Sequence, residues 1–279
     1  VLDYWNLTRP KIVLMVLAAM LTSGWTAAET APSWFVLLNA MLGTTGVILG
    51  AIALNQRLEC QGDAKMPRTA DRPLPSGRLS SQAVTRFGAM ATLLGTAYLI
   101  CFCNATLVIL AIVGWVVYVF VYTPLKSRSI WQTPIGAAAG AMPALLGAAA
   151  VGAPWSPIGW SLFGIVFCWQ LPHAMAIAWL YRRQFADADV RVATVVDPAG
   201  RIAGRFAFLG AILLLPVSLA PMIFLPMGWT YGILAGLLGL GYLFFSFAFF
   251  YRTDNVTARG LLWASLIYLP LMLIVLVVA

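Results

Sequence analysis

Nine stretches of this chain are long and apolar enough to cross a bilayer, which no water-soluble fold could absorb. They fall at about 12–28, 33–54, 83–102, 105–122, 134–152, 158–180, 205–225, 228–250 and 260–278. A helix of about 20 mostly apolar residues spans roughly 30 Å of hydrocarbon. Hydrocarbon offers the backbone no hydrogen-bond partners, so each stretch must satisfy its own amides as a helix; the strands of a membrane barrel would instead be short and alternating. Only 9% of the 279 residues are charged. The predicted fold class is an all-α integral membrane protein, one polytopic domain over 1–279 with two long polar loops at about 55–82 and 181–204.

With nine spans, the N-terminus and every second loop share one side, and that side receives all 17 basic residues. They are Arg9 and Lys11; Arg57, Lys65, Arg68, Arg72, Arg78 and Arg86; Lys126 and Arg128; Arg182, Arg183, Arg191, Arg201 and Arg205; Arg252 and Arg259. The other side carries Glu29 as its only charge. Short loops rich in Lys and Arg stay in the cytoplasm, so the N-terminus and both long loops are expected there, the C-terminus opposite, in a membrane read as the bacterial plasma membrane. The net charge of +8 is therefore a topological signal, and no nucleic-acid partner is needed to explain it. The four cysteines, Cys60, Cys101, Cys103 and Cys168, are read as small hydrophobes and not as a disulfide framework.

Within the first long loop, Asn55, Glu59 and Asp63 recur every fourth residue. On a helix that spacing drifts only about 40° per step, so all three share one face, and Pro67 stops the helix one turn later. Neutralising nearby arginines would require no such register. Two carboxylates and a carboxamide are hard oxygen donors that suit Mg²⁺, which takes one or two carboxylates and completes its shell with substrate phosphate oxygens. Arg68 and Arg72 follow, with forked guanidiniums suited to a diphosphate.

The pattern formed by Asn55, Glu59, Asp63, Met66, Arg68, Thr69, Arg72, Pro73, Leu74, Pro75 and Gly77 resembles the first acidic motif of the UbiA-type membrane prenyltransferases. Within that superfamily the chain is most similar to the haem O synthases. The likeness extends through DYWNLTRPKIVLMVL at 3–17, YTPLK at 122–126, IGAAAGAMPALLG at 135–147, WQLPHAMAIAW at 169–179 and VVDPAGR at 195–201. The resemblance implies a nine-helix bundle whose central cavity opens to lipid beneath the two cytoplasmic loops. It implies Mg²⁺ on Asn55, Glu59 and Asp63, with Arg68, Arg72 and Lys126 stabilising the departing diphosphate. The implied substrates are farnesyl diphosphate and haem B, and a haem A-forming enzyme would be the partner receiving the product.

His173, the only histidine, lies in the sixth span about eight residues from the cytoplasmic end, or ~12 Å at 1.5 Å per residue. An ionisable group at that depth is a functional candidate, and neutral imidazole is a natural axial ligand for haem iron. Gln170 shares its face, and Pro172 between them frees a backbone carbonyl. Tyr118 and Tyr122, one turn apart, are candidates for the cavity wall. The small residues at 136, 140 and 144 read first as helix packing and second as cavity lining. Trp25, Trp34, Trp155, Trp160, Trp229 and Tyr251 read as an interfacial belt.

The second loop departs from the family pattern. Gln184 stands where the family carries Asp, keeping an oxygen ligand but removing a charge from a second metal position; Asp187 or Asp189 is the expected repair, and Arg182, Arg183, Gln184 and Asp187 are expected as further substrate contacts. Ala174 stands where the family tends to have Phe, leaving room beside His173. The rival readings are a related prenyltransferase acting on another aromatic or tetrapyrrole acceptor, a non-catalytic haem-binding protein, and a transporter. A transporter should carry inverted repeats and charge near the midplane, where this chain has only His173.

Overall fold

The computed structural model describes residues 2–278, and among them nine helices have the length and apolarity of membrane spans. They are α1 (Pro10–Ala27), α2 (Trp34–Lys65), α3 (Ser81–Phe102), α4 (Ala105–Leu125), α5 (Gln132–Ala150), α6 (Pro157–Leu180), α7 (Arg201–Phe224), α8 (Trp229–Tyr251) and α9 (Asn255–Val278). Sequence boundaries set several starts directly. Ser80, Asn104 and Ser156 each accept a backbone N–H from the residue three ahead, capping α3, α4 and α6.

Two helices run beyond their apolar stretches. α2 continues through the helix expected at Asn55, Glu59 and Asp63 and ends at Lys65, just before Pro67. Its 32 residues make it about 48 Å long, well beyond the hydrocarbon thickness, so its last three turns extend past the apolar stretch and carry Asn55, Glu59 and Asp63. α4 extends to Leu125 because Val117–Tyr122 is wound as a π-helix. The wider winding lets the Thr123 hydroxyl donate to the carbonyl of Tyr118, five residues back, at 2.8 Å. Such bulges concentrate at functional sites.

Hydrocarbon gives helices no hydrophobic reason to associate, so close backbone approach and polar links do that work. α2 and α3 meet through glycines: a methyl on Gly95 would lie 2.6 Å from the backbone nitrogen of Val47. α1 and α5 meet where Gly147 faces the Met20 carbonyl and the Ser23 hydroxyl donates to the Ala144 carbonyl. A second set of helices, α6 to α9, packs around Ile165, Met175, Leu214, Tyr231, Tyr242, Phe249 and Tyr268. Bulky residues elsewhere, such as Leu42, Leu93, Ile109, Phe244 and Ile274, face outward, as a lipid-exposed surface requires. Trp34, Trp155, Trp160, Trp229 and Tyr251 are exposed near helix ends, and half-buried Trp25 packs on Trp34, as a belt would be built. All four cysteines are free.

Candidate active site

One cavity of about 770 Å³ joins the ends of α2, α4 and α6 under the two loops. Its mouth is lined by Arg9, Glu59, Asp63, Arg68, Arg72, Tyr118, Tyr122 and Lys126, and its deeper wall by Gly136, Gly140, Gln170, His173 and Ala174. Charge at one end and a lone imidazole among small and apolar residues at the other define what it can hold. Gly136 and Gly140 prove to be wall residues: a methyl on either would run into the Tyr122 ring or the Gln170 amide. Only Ala144 of that small-residue series is wholly buried in helix packing.

The three residues spaced along α2 do share one face. The Asn55 amide donates to the Thr123 hydroxyl at 2.8 Å, which leaves its oxygen as the group available for a ligand. Asn55 itself does not line the cavity; it lies beneath it, 1% exposed, and connects through Thr123. Glu59 is 2.5 Å from the Lys126 ammonium, and apart from that contact its buried Oε1 has no partner. Asp63, with its side chain 3% exposed, accepts from the Arg72 guanidinium at 2.5 Å. Asp63 thus meets a base from the loop that follows it, and Glu59 meets one just past the end of α4. This donor set fits a divalent cation: two carboxylates at the mouth, each now facing a cation, with a carboxamide oxygen beneath them.

The bases are held ready for an anion. Arg68 lies over the rings of Tyr181 and Phe185, 4.8 and 5.4 Å from their centroids, so the second loop grips the first. Burial pulls the pKa of Arg68 and of Arg72 below the ordinary arginine value, a desolvation cost that an incoming diphosphate would offset. Lys126 goes the other way. Burial works against its charge, but the phenols of Tyr122 and Tyr118 and the Glu59 carboxylate outweigh it and raise its pKa. Its ammonium also sits 4.5 Å from the Tyr122 centroid, and Tyr122 packs on Tyr118 at 5.4 Å.

Arg9 is a mouth residue that spacing arguments passed over. It adopts the left-handed region at φ 48 immediately before Pro10, where α1 begins. An L residue rarely takes that conformation, so the surrounding contacts must hold it there. The LTRPK stretch signalled only where the helix starts, since proline favours the first helical turn.

The second loop disagrees with the sequence reading. Asp189 occupies a left-handed turn at φ 58 that closes the short helix Arg182–Asp187, and its exposed carboxylate pairs with Lys65 at 2.8 Å. Asp187 is exposed, and neither aspartate lines the cavity. The expected repair of a second metal position is therefore not assembled, and among the described residues no group of three His, Cys, Asp or Glu side chains could hold a metal. Gln184 has a buried Oε1 with no partner, yet it too lies off the cavity wall. Arg182 is committed elsewhere, to the Trp179 carbonyl, the Asn255 amide oxygen and the Trp179 ring, while Arg183 is exposed. The loop's cavity-lining residues are Phe185, Ala188, Val190 and Val192.

Deeper in, the His173 ring stacks on Trp169 with centroids 4.8 Å apart, and its Nδ1 is 2.8 Å from the Ser265 hydroxyl of α9. Gln170 makes one long hydrogen bond to the Ala137 carbonyl at 3.4 Å. Pro172 leaves the Cys168 carbonyl without its helical donor, and the bare Cα of Gly210 on α7 packs against it.

The chain has known counterparts. Residues 15–276 match the UbiA prenyltransferase family. The chain belongs to that family. A protoheme IX farnesyltransferase of Solibacter usitatus is 37% identical, the match covering 96% of this chain and 95% of that protein. The enzyme of the same name from Rhodopirellula baltica is 38% identical over 97% of both. Among solved structures, digeranylgeranylglyceryl phosphate synthase superposes with a TM-score of 0.82 at 17% identity, covering 99% of this chain and 96% of that one. A UbiA homolog from Archaeoglobus fulgidus bound to DMAPP and Mg²⁺ superposes with a TM-score of 0.70 at 14% identity, covering 99% of this chain and all of that one. At these identities the structural likeness establishes the fold, an integral membrane bundle.

The Asp63–Arg72 pair yields a direct expectation. Arg72→Met should cost the ligand-free protein about 3 kcal/mol, because it strands a carboxylate that is almost fully buried. Adding Asp63→Asn should return most of that loss. Unfolding in detergent measures both; a single mutant as stable as wild type would mean that Arg72 is not the counter-ion of Asp63.

Proposed function

We propose that the protein transfers a farnesyl group from farnesyl diphosphate to a vinyl group of haem B. The observation that carries this reading is the shape of the cavity: cationic and carboxylate groups at its mouth, an apolar channel, and a single imidazole at its far end. Full-length similarity to relatives named protoheme IX farnesyltransferase supports the choice of acceptor.

In this reaction the allylic C–O bond breaks and pyrophosphate departs with the electron pair. The vinyl π electrons form the new C–C bond, and water adds its oxygen to the remaining vinyl carbon while losing a proton, giving the hydroxyethylfarnesyl chain. Glu59 and Asp63, with the Asn55 oxygen behind them, would hold Mg²⁺. The ion supplies positive charge where the leaving group becomes more negative. Arg68, Arg72, Lys126 and Arg9 bind the same oxygens, favouring the transition state over the ground state because charge on the diphosphate grows as the bond breaks. To do so, Arg72 and Lys126 exchange their internal carboxylates for phosphate. The walls from Gly136 to Ala174 accommodate the prenyl chain and keep stray water from the cation. His173 binds the acceptor as a ligand of the haem iron.

The segregation of bases supports a cytoplasmic N-terminus and mouth, with α9 ending on the opposite face. In a cysteine-free background, Ser76→Cys should react with an impermeant maleimide only in inverted vesicles, and Glu29→Cys only in right-side-out ones. The opposite pattern would invert the topology.

Purified protein supplied with haem B, farnesyl diphosphate and Mg²⁺ should yield haem of increased mass, and Asp63→Asn should lower the rate at least ~10²-fold while leaving haem binding intact. His173→Ala should weaken haem binding first. No farnesylated haem from the wild type, under conditions where a relative is active, would refute the assignment.

A further inference from the structure

We propose that Ser265 is a positioning residue that fixes the tautomer of His173, holding its proton on Nδ1 so that the Nε2 lone pair is what the imidazole offers the cavity. The proposal rests on the reading of His173 as the residue that meets the haem.

A count of protons assigns the tautomer. The Ser265 side-chain oxygen lies 2.6 Å from the Leu262 carbonyl and 2.8 Å from His173 Nδ1. A carbonyl can only accept, and a hydroxyl has a single proton, so that proton is committed to Leu262. Toward His173 the hydroxyl has only lone pairs left. Nδ1 must therefore carry a hydrogen, and in a neutral imidazole Nε2 then carries none. His173 lines the cavity, and Nε2 is the ring nitrogen left to serve it.

The ring plane is fixed as firmly as the proton. Trp169 lies against one face of the imidazole, nearly parallel at 19°. The Trp169 indole donates to the backbone carbonyl of Ser265 at 2.8 Å, and the Trp169 carbonyl accepts the Tyr242 hydroxyl at 2.9 Å. Helices α6 and α9 thus meet at the imidazole, and α8 holds the backbone of the stacking Trp169. Ser265 is wholly buried, so no water competes for Nδ1. A histidine meant only to satisfy itself would need one partner; this one has its Nδ1 edge and one face held while Nε2 is kept free. Metal-binding histidines generally have their second nitrogen held in this way, and losing that partner costs about 10–100-fold in affinity.

Because the chain contains one histidine, ¹⁵N-histidine labelling gives a single imidazole to observe. In haem-free full-length protein, NMR should find Nδ1 protonated and Nε2 unprotonated. Ser265→Ala should shift the population toward protonated Nε2, and Ser265→Thr should restore the wild-type tautomer. A wild type protonated on Nε2 would overturn the proposal whether or not any variant folds, as would a Ser265→Ala tautomer identical to wild type. Titration with ferric haem B, followed by absorption and electron paramagnetic resonance, separates this from the reading beneath it. His173→Ala should abolish the axial-imidazole signature; if it does not, the ligand reading fails. If it does, Ser265→Ala should weaken haem binding about 10–100-fold with Ser265→Thr rescuing it, and unchanged binding in Ser265→Ala would refute the positioning role.

Discussion

Hydrocarbon cannot solvate a charge or a free peptide group, and the rest of the structure follows from that constraint. Nine spans satisfy their own backbones, and nearly all ionisable chemistry is expelled to one membrane face. There the acids and bases have only each other. Glu59 takes Lys126, Asp63 takes Arg72, and Asp189 takes Lys65. The first two are partly buried and gain little net stability, because desolvation consumes most of their attraction; the third is exposed and screened by solvent. On the proposed reading the value of the first two is that they are exchangeable: a metal would replace the bases around Glu59 and Asp63, a diphosphate would replace the acids around Arg72 and Lys126, and no charge would be left unpaired at either stage.

The same constraint explains the polar groups that remain inside. His173 is held by Ser265 and Trp169, and Tyr242 and Tyr231 donate to the carbonyls of Trp169 and Ser218. Each bond ties one helix to another where apolar contact alone would not specify a register. Small residues complement them. Gly136 and Gly140 leave room for Tyr122 and Gln170, so the cavity is shaped as much by missing side chains as by those present.

Much of this was legible in the sequence because it is periodic or compositional. Apolar runs marked the spans, basic residues marked one face, and the four-residue spacing of Asn55, Glu59 and Asp63 marked a helix where polarity alone suggested a loop. What escaped depends on contacts between distant segments or on irregular backbone. Nothing local announces the π-helix at Val117–Tyr122, which brings Thr123 to Asn55. The left-handed Arg9 is a tertiary outcome, as is the grip of Tyr181 and Phe185 on Arg68. Asp187 and Asp189 misled for the converse reason: they are close in sequence to the position that lost its carboxylate, but the turn at Asp189 carries them to the surface.

On the proposed reading, one cavity holds a metal-bound diphosphate at its charged mouth and the reacting partner near His173. An experimental structure with Mg²⁺ and a non-cleavable farnesyl diphosphate analogue addresses it most directly. The account predicts the diphosphate between Asp63 and Arg68, the Asp63–Arg72 and Glu59–Lys126 contacts replaced by metal and phosphate, and the prenyl chain running past Gly136 and Gly140 toward His173. A diphosphate bound outside this mouth, with both internal ion pairs intact, would contradict it.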